Sequence, residues 1–411
     1  MKAVVFTLGC KVNECESDSL ITGLKEKGME VSDKLTYADL YIVNTCAVTS
    51  EAEKKSRQME SRIKKLNPNA KIIFTGCATQ KDPVSFLNKS DKHLITGVFS
   101  KQEILNMLDV SGDKVAEESA VFEELLPVSS LRTRTYVKVQ DGCNNFCSYC
   151  IIPYLRGRSR SRDPKKVLEE IRATNPKEVV INGINLSAYN FNGLGLTGLI
   201  RELKDVDCRI RLGSLEVNVI DDEFLTALKQ LKNFAPHFHL SLQSGSDAVL
   251  KKMNRHYTAN EFIDKVKLIR KHFKNAGITT DIIVGFPTET EENFEETANL
   301  CKQVNFSDIH AFCFSRRKGT VAYKMQDING EIKKQRLDKL LKIKTESKLN
   351  FALNNVGKTL DFLFEEEKDN YSQGYSENYL RLYVKEKLTE KKIYKVKVIK
   401  PYLDGALATL I

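Results

Sequence analysis

Three cysteines crowd into one short stretch, Asp141-Gly142-Cys143-Asn144-Asn145-Phe146-Cys147-Ser148-Tyr149-Cys150, and no other feature constrains the chain as strongly. Cysteines at C-x3-C-x2-C spacing, in a loop rich in Gly and Asn, can bring three thiolates around one small object. Zinc would require a fourth nearby ligand, usually from a second C-x2-C or a histidine pair, and none follows. An iron–sulfur cube normally takes four cysteines. Three leave one iron open to a ligand that is not protein, so the fold must deliver this loop to a place a small molecule can reach.

The N-terminal third carries a second set. Short β-rich runs at residues 2–8, 40–44 and 71–75 alternate with helical periodicity at 17–27 and 50–66. Strands separated by helices imply a parallel sheet with right-handed crossovers. Each run leads straight into a cysteine: Leu8-Gly9-Cys10, Asn44-Thr45-Cys46 and Thr75-Gly76-Cys77. The carboxyl ends of strands in an open parallel sheet share one edge, where ligands gather. Cys10, Cys46 and Cys77 are therefore expected to converge as a second cluster site with one open iron. Cys15, about one helical turn beyond Cys10, is read as a bystander or a reserve ligand.

Residues 110–134 change character, with Gly112, Pro127, two serines and the acidic Glu117, Glu118, Glu123 and Glu124. They read as a connection between domains whose charges form a solvated face. Strand signals then recur at 136–140, 178–182, 209–213, 237–242, 279–284 and 309–314, with helical segments that include 164–174, 221–231 and 259–275. Six βα units close most naturally as an incomplete TIM-type barrel, whose working face is the carboxyl end of its strands. The polar punctuation falls at those ends: the cysteine loop, Asn182-Gly183-Ile184-Asn185, Ser214-Leu215-Glu216, Gln243-Ser244-Gly245-Ser246-Asp247 and Gly285-Phe286-Pro287. His237 and His239 share one face of a strand and read as structural histidines.

Residues 331–348 read as a long basic amphipathic helix, and strands at 360–364, 379–384 and 394–400 suggest a small β-barrel appendage. Its first half is acidic (Glu365, Glu366, Glu367, Asp369), whereas residues 381–400 hold eight basic and two acidic residues near Tyr379, Tyr383 and Tyr394. Such a track suits RNA, with base stacking on aromatics beside cations, and a solvated charged face is the competing reading. A chain of 411 residues suggests two or three domains. Its apolar start is too short for a signal peptide, and no run approaches the ~18 apolar residues of a membrane span. A cytoplasmic protein without a membrane partner is expected. There, ten cysteines point to metal binding or catalysis and not to disulfides. The net charge of +10 admits a polyanionic partner.

With both triads in place, the whole chain resembles the methylthiotransferase family of radical S-adenosylmethionine (SAM) enzymes. Tyr149, just before Cys150, is similar to the aromatic residue of radical SAM cluster loops. Leu8-Gly9-Cys10-Lys11-Val12-Asn13 resembles the branch that modifies threonylcarbamoyladenosine beside the tRNA anticodon. Sister branches, acting on isopentenyladenosine or on a ribosomal-protein aspartate, differ after that cysteine. Further similar stretches are Asn44-Thr45-Cys46-Ala47-Val48-Thr49, Ile151-Ile152-Pro153-Tyr154-Leu155-Arg156-Gly157 and Thr280-Asp281-Ile282-Ile283-Val284-Gly285-Phe286-Pro287. The pattern departs at Val217 and Ser241, where the family commonly has proline, and at Arg317 and Val321 in a stretch that usually carries prolines.

The resemblance implies an α/β fold in parts: an N-terminal parallel-sheet cluster domain (1–112), a linker (113–131), a partial (β/α)6 TIM-type radical SAM barrel (132–350) and a small C-terminal β-barrel similar to the TRAM RNA-binding module (353–411). It implies a [4Fe–4S] cluster on Cys143, Cys147 and Cys150 that chelates SAM and cleaves it to a 5′-deoxyadenosyl radical. Cys10, Cys46 and Cys77 would hold an auxiliary [4Fe–4S] cluster that presents the sulfur to be inserted. Tyr149, Ser214, Glu216, Gln243 and Arg255 are the expected SAM contacts. The expected activity is methylthiolation of adenine C2 in N6-threonylcarbamoyladenosine, with tRNA, through its anticodon loop, and an electron donor as partners. Isopentenyladenosine tRNA and a ribosomal-protein aspartate are the alternative substrates. A non-catalytic iron–sulfur RNA-binding protein is the alternative from another class.

Overall fold

A computed structural model describes residues 1–87, 93–127, 133–389 and 391–411. Residues 128–131 of the expected linker, residue 132 at the expected start of the barrel, and one acidic residue of the basic track, Glu390, lie outside the described residues.

The N-terminal strands β1 (Lys2–Thr7), β2 (Glu30–Ser32), β3 (Leu40–Thr45), β4 (Lys71–Gly76), β5 (Leu94–Ile95) and β6 (Gly112–Asp113) form one sheet in the order β2-β1-β3-β4-β5-β6. Every pairing in it is parallel. The central β3 is buried along its whole length, as a strand covered on both faces must be. Helix α1 (Lys11–Glu26) covers one face and α2 (Ser50–Leu66) the other. Helix α1 begins at Lys11, with Cys10 as its N-cap, and not at residue 17. Its first turns defeat a search for apolar periodicity because their buried side chains are polar: Asn13, Glu16, Ser17, Asp18 and Ser19.

The middle region carries β7 (Arg134–Asp141), β8 (Glu178–Gly183), β9 (Arg209–Leu212), β10 (Ser214–Leu215), β11 (His237–Gln243), β12 (Gly277–Val284) and β13 (Asp308–Cys313). Strands β7, β8 and β9 pair in parallel, as do β10 through β13. The chain passes from β9 to β10 across Gly213, so one segment serves both sheets and six parallel positions surround an open barrel. Side chains alternate along these strands. Val137, Val139, Val179, Ile181, Ile210, Phe238, Leu240, Ile278 and Ile282 pack outward against the helices, while Lys138, Glu178, Arg211, His239 and Asp281 line the concave interior. Helix α1 lies against β7, where Cys15 Sγ meets the Tyr136 carbonyl at 3.2 Å and Glu16 meets Lys138.

A long helix, α3 (Gly330–Asn355), leads to a closed barrel of β14 (Thr359–Lys368), β15 (Tyr371–Ser376), β16 (Arg381–Val384), β17 (Ile393–Tyr402) and β18 (Gly405–Leu410). The buried stripe of α3 runs Lys333, Arg336, Leu340, Ile343 and Ser347 at helical spacing, so its amphipathic face includes two basic residues. Arg336 reaches Glu289 at 2.7 Å and Glu291 at 3.2 Å. Strands β15 and β18 have no counterpart in the sequence expectation: Tyr371-Ser-Gln-Gly-Tyr-Ser is polar and Gly405-Ala-Leu-Ala-Thr-Leu is rich in small residues, so β-propensity marks neither.

This terminal barrel stoppers the amino end of the partial barrel. Glu178, fully buried, takes Arg134 at 2.7 Å, Arg209 at 2.5 Å and Arg211 at 2.8 Å. The same arginines donate onward to the terminal barrel: Arg209 to the Asp361 carbonyl, Arg211 to the Ser376 and Glu377 carbonyls, and Arg134 to Glu365. Tyr379 is not a strand residue. At φ +69° it turns its ring flat onto His237, 4.2 Å between centroids, beneath Arg134 and Arg211. Tyr383 is buried, with its hydroxyl on Asp404. Both rings are therefore occupied internally and are removed from the aromatic RNA-stacking surface expected of them. Among the described residues, no helix is long and apolar enough to cross a membrane.

Replacing Glu178 with Gln leaves three buried guanidinium groups without their shared carboxylate, which should cost about 3–5 kcal/mol. A lowered urea midpoint, with faster proteolysis of the terminal barrel, is the expected result. Acid should have a related effect. Burial acts to raise the Glu178 carboxyl, but Arg211, Arg209 and Arg134 hold it far below the usual carboxylate range. Its contribution is therefore full above about pH 4.3 and declines as pH falls below that.

Candidate functional site

The parallel sheet brings Cys10, Cys46 and Cys77 to the carboxyl ends of β1, β3 and β4, adjacent positions in the strand order. Two glycines permit the close approach. Gly9, at φ +112°, lies where an added Cβ would sit 2.9 Å from Cys46 Cβ and Sγ. Gly76, at φ +105°, passes where a Cβ would sit 2.5 Å from the Thr45 carbonyl. The Cys10 thiol, reachable from solvent but crowded by protein on its other sides, is raised by desolvation, with Cys77 adding to the shift. Burial pushes Cys46 up to about 12, with Cys77 and Cys10 contributing. The three thiols thus act on one another.

The second triad sits on the loop after β7. Cys143 N–H donates to the Gly157 carbonyl at 3.0 Å and Cys150 N–H to the Cys147 carbonyl at 2.9 Å, which folds the loop back on itself. Gly142, at φ +71°, lets the chain pass where a Cβ would meet the Arg158 carbonyl at 2.0 Å. Asn185 Nδ2 points to Cys143 Sγ at 3.7 Å and Arg255 Nη1 to Cys147 Sγ at 3.3 Å. Burial raises Cys150 to about 12, with Cys147 and Cys143 adding.

Among the described residues, the only candidate group of three whose ligand atoms all fall within 4.8 Å of one another contains no cysteine. Three soft thiolate donors in each triad suit an iron–sulfur group with one iron left over. Raised thiol pKa values mean that iron must displace protons as it binds.

Of the expected SAM contacts, the structure joins Arg255 and Glu216 beside Cys147. Arg255 Nη1 lies 2.9 Å from Glu216 Oε1, which also accepts from Asn145 Nδ2 at 2.6 Å, and Arg255 Nη2 reaches the Ser241 carbonyl at 3.2 Å. Ser214 stands across from His239 in the strand register, and Gln243 ends β11 at φ +66° beside a register shift. Neither is drawn into the Arg255–Glu216 pair. The Tyr149 ring packs with Val249, Met253, Phe286, Phe314 and Ala322.

The two triads are tied by a buried charge network that sequence reasoning missed. Arg156 is fully buried; its Nη1 donates to Glu16 at 2.8 Å and to Asp141 at 3.1 Å, and its Nη2 to Asn13 Oδ1 at 2.8 Å. Asn13 Nδ2 donates to the Leu8 and Thr45 carbonyls, each next to a cysteine-bearing turn, while Asp141 adjoins the second cysteine loop. Lys138 and Lys101 complete the neutralisation of Glu16, at 3.5 and 3.6 Å. Burial acts to raise Glu16, and the charges of Arg156, Lys101 and Lys138 outweigh it and hold the carboxyl at about 2. Ile151 and Leu155 pack into the N-terminal core beside Cys77 and Ala47, so the segment after Cys150 belongs to both bodies. Arg317, where the family pattern usually has prolines nearby, is a further tie: it reaches Glu53 at 3.0 Å and the Val48 carbonyl at 3.2 Å.

One expectation changes, and of the two readings of Cys15 the bystander is favoured. The acidic run is not a free solvated face: Glu118 accepts from Arg158 N–H at 2.8 Å, Glu123 from Gln102 N–H at 3.0 Å, and Glu124 pairs with Arg162 at 2.8 Å. Cys15 is buried against β7 on the flank of α1, away from the edge that carries Cys10.

Known proteins resemble this chain along its whole length. Residues 137–301 match the Radical SAM superfamily, and residues 2–97 match the uncharacterized protein family UPF0004. The chain is 36% identical over its full length, and over 97% of the relative, to threonylcarbamoyladenosine tRNA methylthiotransferase MtaB of Bacillus subtilis. It is also 36% identical, over 89% of its length and 86% of the relative, to tRNA-2-methylthio-N(6)-dimethylallyladenosine synthase of Desulfitobacterium hafniense. The radical SAM methyltransferase TsrM of Kitasatospora setae shares the fold at a TM-score of 0.55 and 14% identity, over 78% of this chain and 76% of that one.

Arg156→Met should cost about 3–5 kcal/mol, because it removes the guanidinium that Glu16 and Asp141 share and leaves Lys101, Lys138 and Arg160 as their remaining cations. Iron loading should fall at both triads together; urea unfolding and iron analysis check this. In the unaltered chain, the stability contributed by Glu16 is full above about pH 4.3 and is lost as pH falls towards the folded value of about 2.

Proposed function

We propose that this chain, which belongs to the radical SAM methylthiotransferase family of tRNA-modifying enzymes, adds a methylthio group to adenine C2 of N6-threonylcarbamoyladenosine beside the tRNA anticodon, using two [4Fe–4S] clusters. The observation that carries the reading is the buried Arg156 network, which fixes one three-cysteine site against another. Cys143, Cys147 and Cys150 would hold the SAM-binding cluster, and Cys10, Cys46 and Cys77 the cluster that carries the sulfur. When bound, these groups supply the radical cleavage of SAM and the sulfur chemistry. The chain's own part is position: Arg255 and Glu216 orient charge beside Cys147, and Asn185 does so beside Cys143. The substrate base must leave the anticodon-loop stack to enter this space, as chemistry on a base requires.

Lys11 supports the threonylcarbamoyl substrate over the isopentenyl one. The threonyl group carries a carboxylate, and the isopentenyl group is neutral. Lys11 follows Cys10 directly and has no ion-pair partner among the described residues. A cation in the first turn of a helix opposes the macrodipole, so helix stability does not explain it. Relatives with the threonylcarbamoyladenosine name include proteins of Bacillus subtilis, Aquifex aeolicus and Thermotoga maritima, at 36–38% identity.

Anaerobic reconstitution should load about eight irons per chain and, with SAM, dithionite and threonylcarbamoyladenosine tRNA, yield 5′-deoxyadenosine and the methylthio nucleoside. Alanine at Cys143, Cys147 or Cys150 should abolish SAM cleavage. Alanine at Cys10, Cys46 or Cys77 should spare cleavage and stop thiolation, and methylthio product from those variants would refute the auxiliary cluster. Lys11→Met should keep iron content and SAM cleavage while raising KM for the threonylcarbamoyl tRNA about tenfold, the equivalent of ~1.4 kcal/mol. An unchanged KM would discard the role given to Lys11.

A further inference from the structure

We propose that His239, Asp281 and His310 form a three-ligand site for a divalent transition-metal ion, separate from both cysteine triads. The three residues come from adjacent parallel strands β11, β12 and β13. Asp281 stands directly across from His310 in the register, and His239 across from Thr279, two residues before Asp281 on the same face. Asp281 and His310 therefore enter the barrel interior at one level, and His239 enters one step nearer the amino end on the same face. His239 Nε2 lies 3.2 Å from Asp281 Oδ2 and His310 Nδ1 lies 3.2 Å from Asp281 Oδ1. The three ligand atoms all fall within 4.8 Å of one another. An ion held at about 2.1 Å by nitrogen and oxygen donors sets neighbouring ligands about 3.0–3.4 Å apart, and the two histidine–carboxylate separations lie inside that window.

The surroundings are built for it. Ligating histidines are normally fixed through their second ring nitrogen. His239 Nδ1 is held by Thr279 Oγ1 at 2.8 Å, and the same hydroxyl meets His237 Nε2 at 2.9 Å. His237 in turn is clamped flat against Tyr379 of the terminal barrel. The His239 and His310 rings stack at 5.3 Å and 26°, so both present an edge to the same carboxylate. The nearby cations on α3 do not compensate Asp281: Lys344 and Lys348 pair with Asp308, at 3.2 and 3.5 Å. The His310 side chain is 43% exposed and Asp281 28%, which gives an entry path. Two imidazoles and one carboxylate suit zinc or ferrous iron, and three protein ligands leave coordination positions open to water.

The competing arrangement is a carboxylate that accepts a proton-mediated bond from each ring without metal. The test uses the cluster-loaded protein, so that the six cysteines are occupied. It is equilibrated with zinc, desalted and analysed for zinc, iron and sulfide. We expect about one zinc per chain, reduced at least fivefold in His310→Gln and in Asp281→Asn, with iron and sulfide unchanged. Zinc held equally by the variants, or not held by the unaltered protein, would overturn the site. X-ray absorption at the zinc edge of the unaltered protein decides without any variant: nitrogen and oxygen scatterers support the assignment, and sulfur scatterers refute it.

Discussion

The structure depends on one guanidinium. Arg156 is buried completely, and a buried charge is tolerated only when it is paired and hydrogen-bonded. Its partners Glu16 and Asn13 belong to α1, and Asp141 belongs to the strand that launches the second cysteine loop. Neither body can complete this network alone: without the barrel, Glu16 loses Arg156 and Lys138, and without α1, Arg156 loses Glu16 and Asn13. Docking is thereby enforced by the cost of unpaired charge, where an apolar interface would reward many sliding alternatives. Specificity of relative position follows from polarity.

The terminal barrel answers the same demand at the other end. Glu178 draws three guanidinium groups to the amino end of the barrel strands, and their remaining donors are satisfied by carbonyls of the terminal barrel. Tyr379 and Tyr383, which a composition argument assigns to RNA, are held by His237 and Asp404. With that end stoppered, the carboxyl ends of the strands, where the cysteine loop lies, remain as the face for chemistry.

Much of this was legible in the sequence, for local reasons. Three cysteines at strand ends and three in one loop are short-range patterns, and all six barrel strands announce themselves as β-rich runs between turn residues. Glu216 stood out because it follows a strand end, and Arg255 entered through the resemblance; the structure pairs the two. What was hidden is nonlocal or chemically disguised. Arg156 and Glu16 are separated by 140 positions, so no window relates them. Helix α1 conceals its start because its buried face is made of Asn13, Glu16, Ser17, Asp18 and Ser19. The pair His237 and His239 was visible, yet Asp281 and His310 join it only through strand register.

Helix α1 carries Cys10 at its cap and Glu16 about 9 Å further along the axis. It therefore acts as a gauge block between the sulfur-bearing edge and the Arg156 anchor. Its tolerance is discrete, because one inserted residue would turn Glu16 by about 100° away from its partner. Evolution can widen or narrow the chamber by editing loops that face it, but it cannot retune the span by small steps in this helix. Chains built on this frame should differ in what they admit far more readily than in how far apart their two cysteine triads stand.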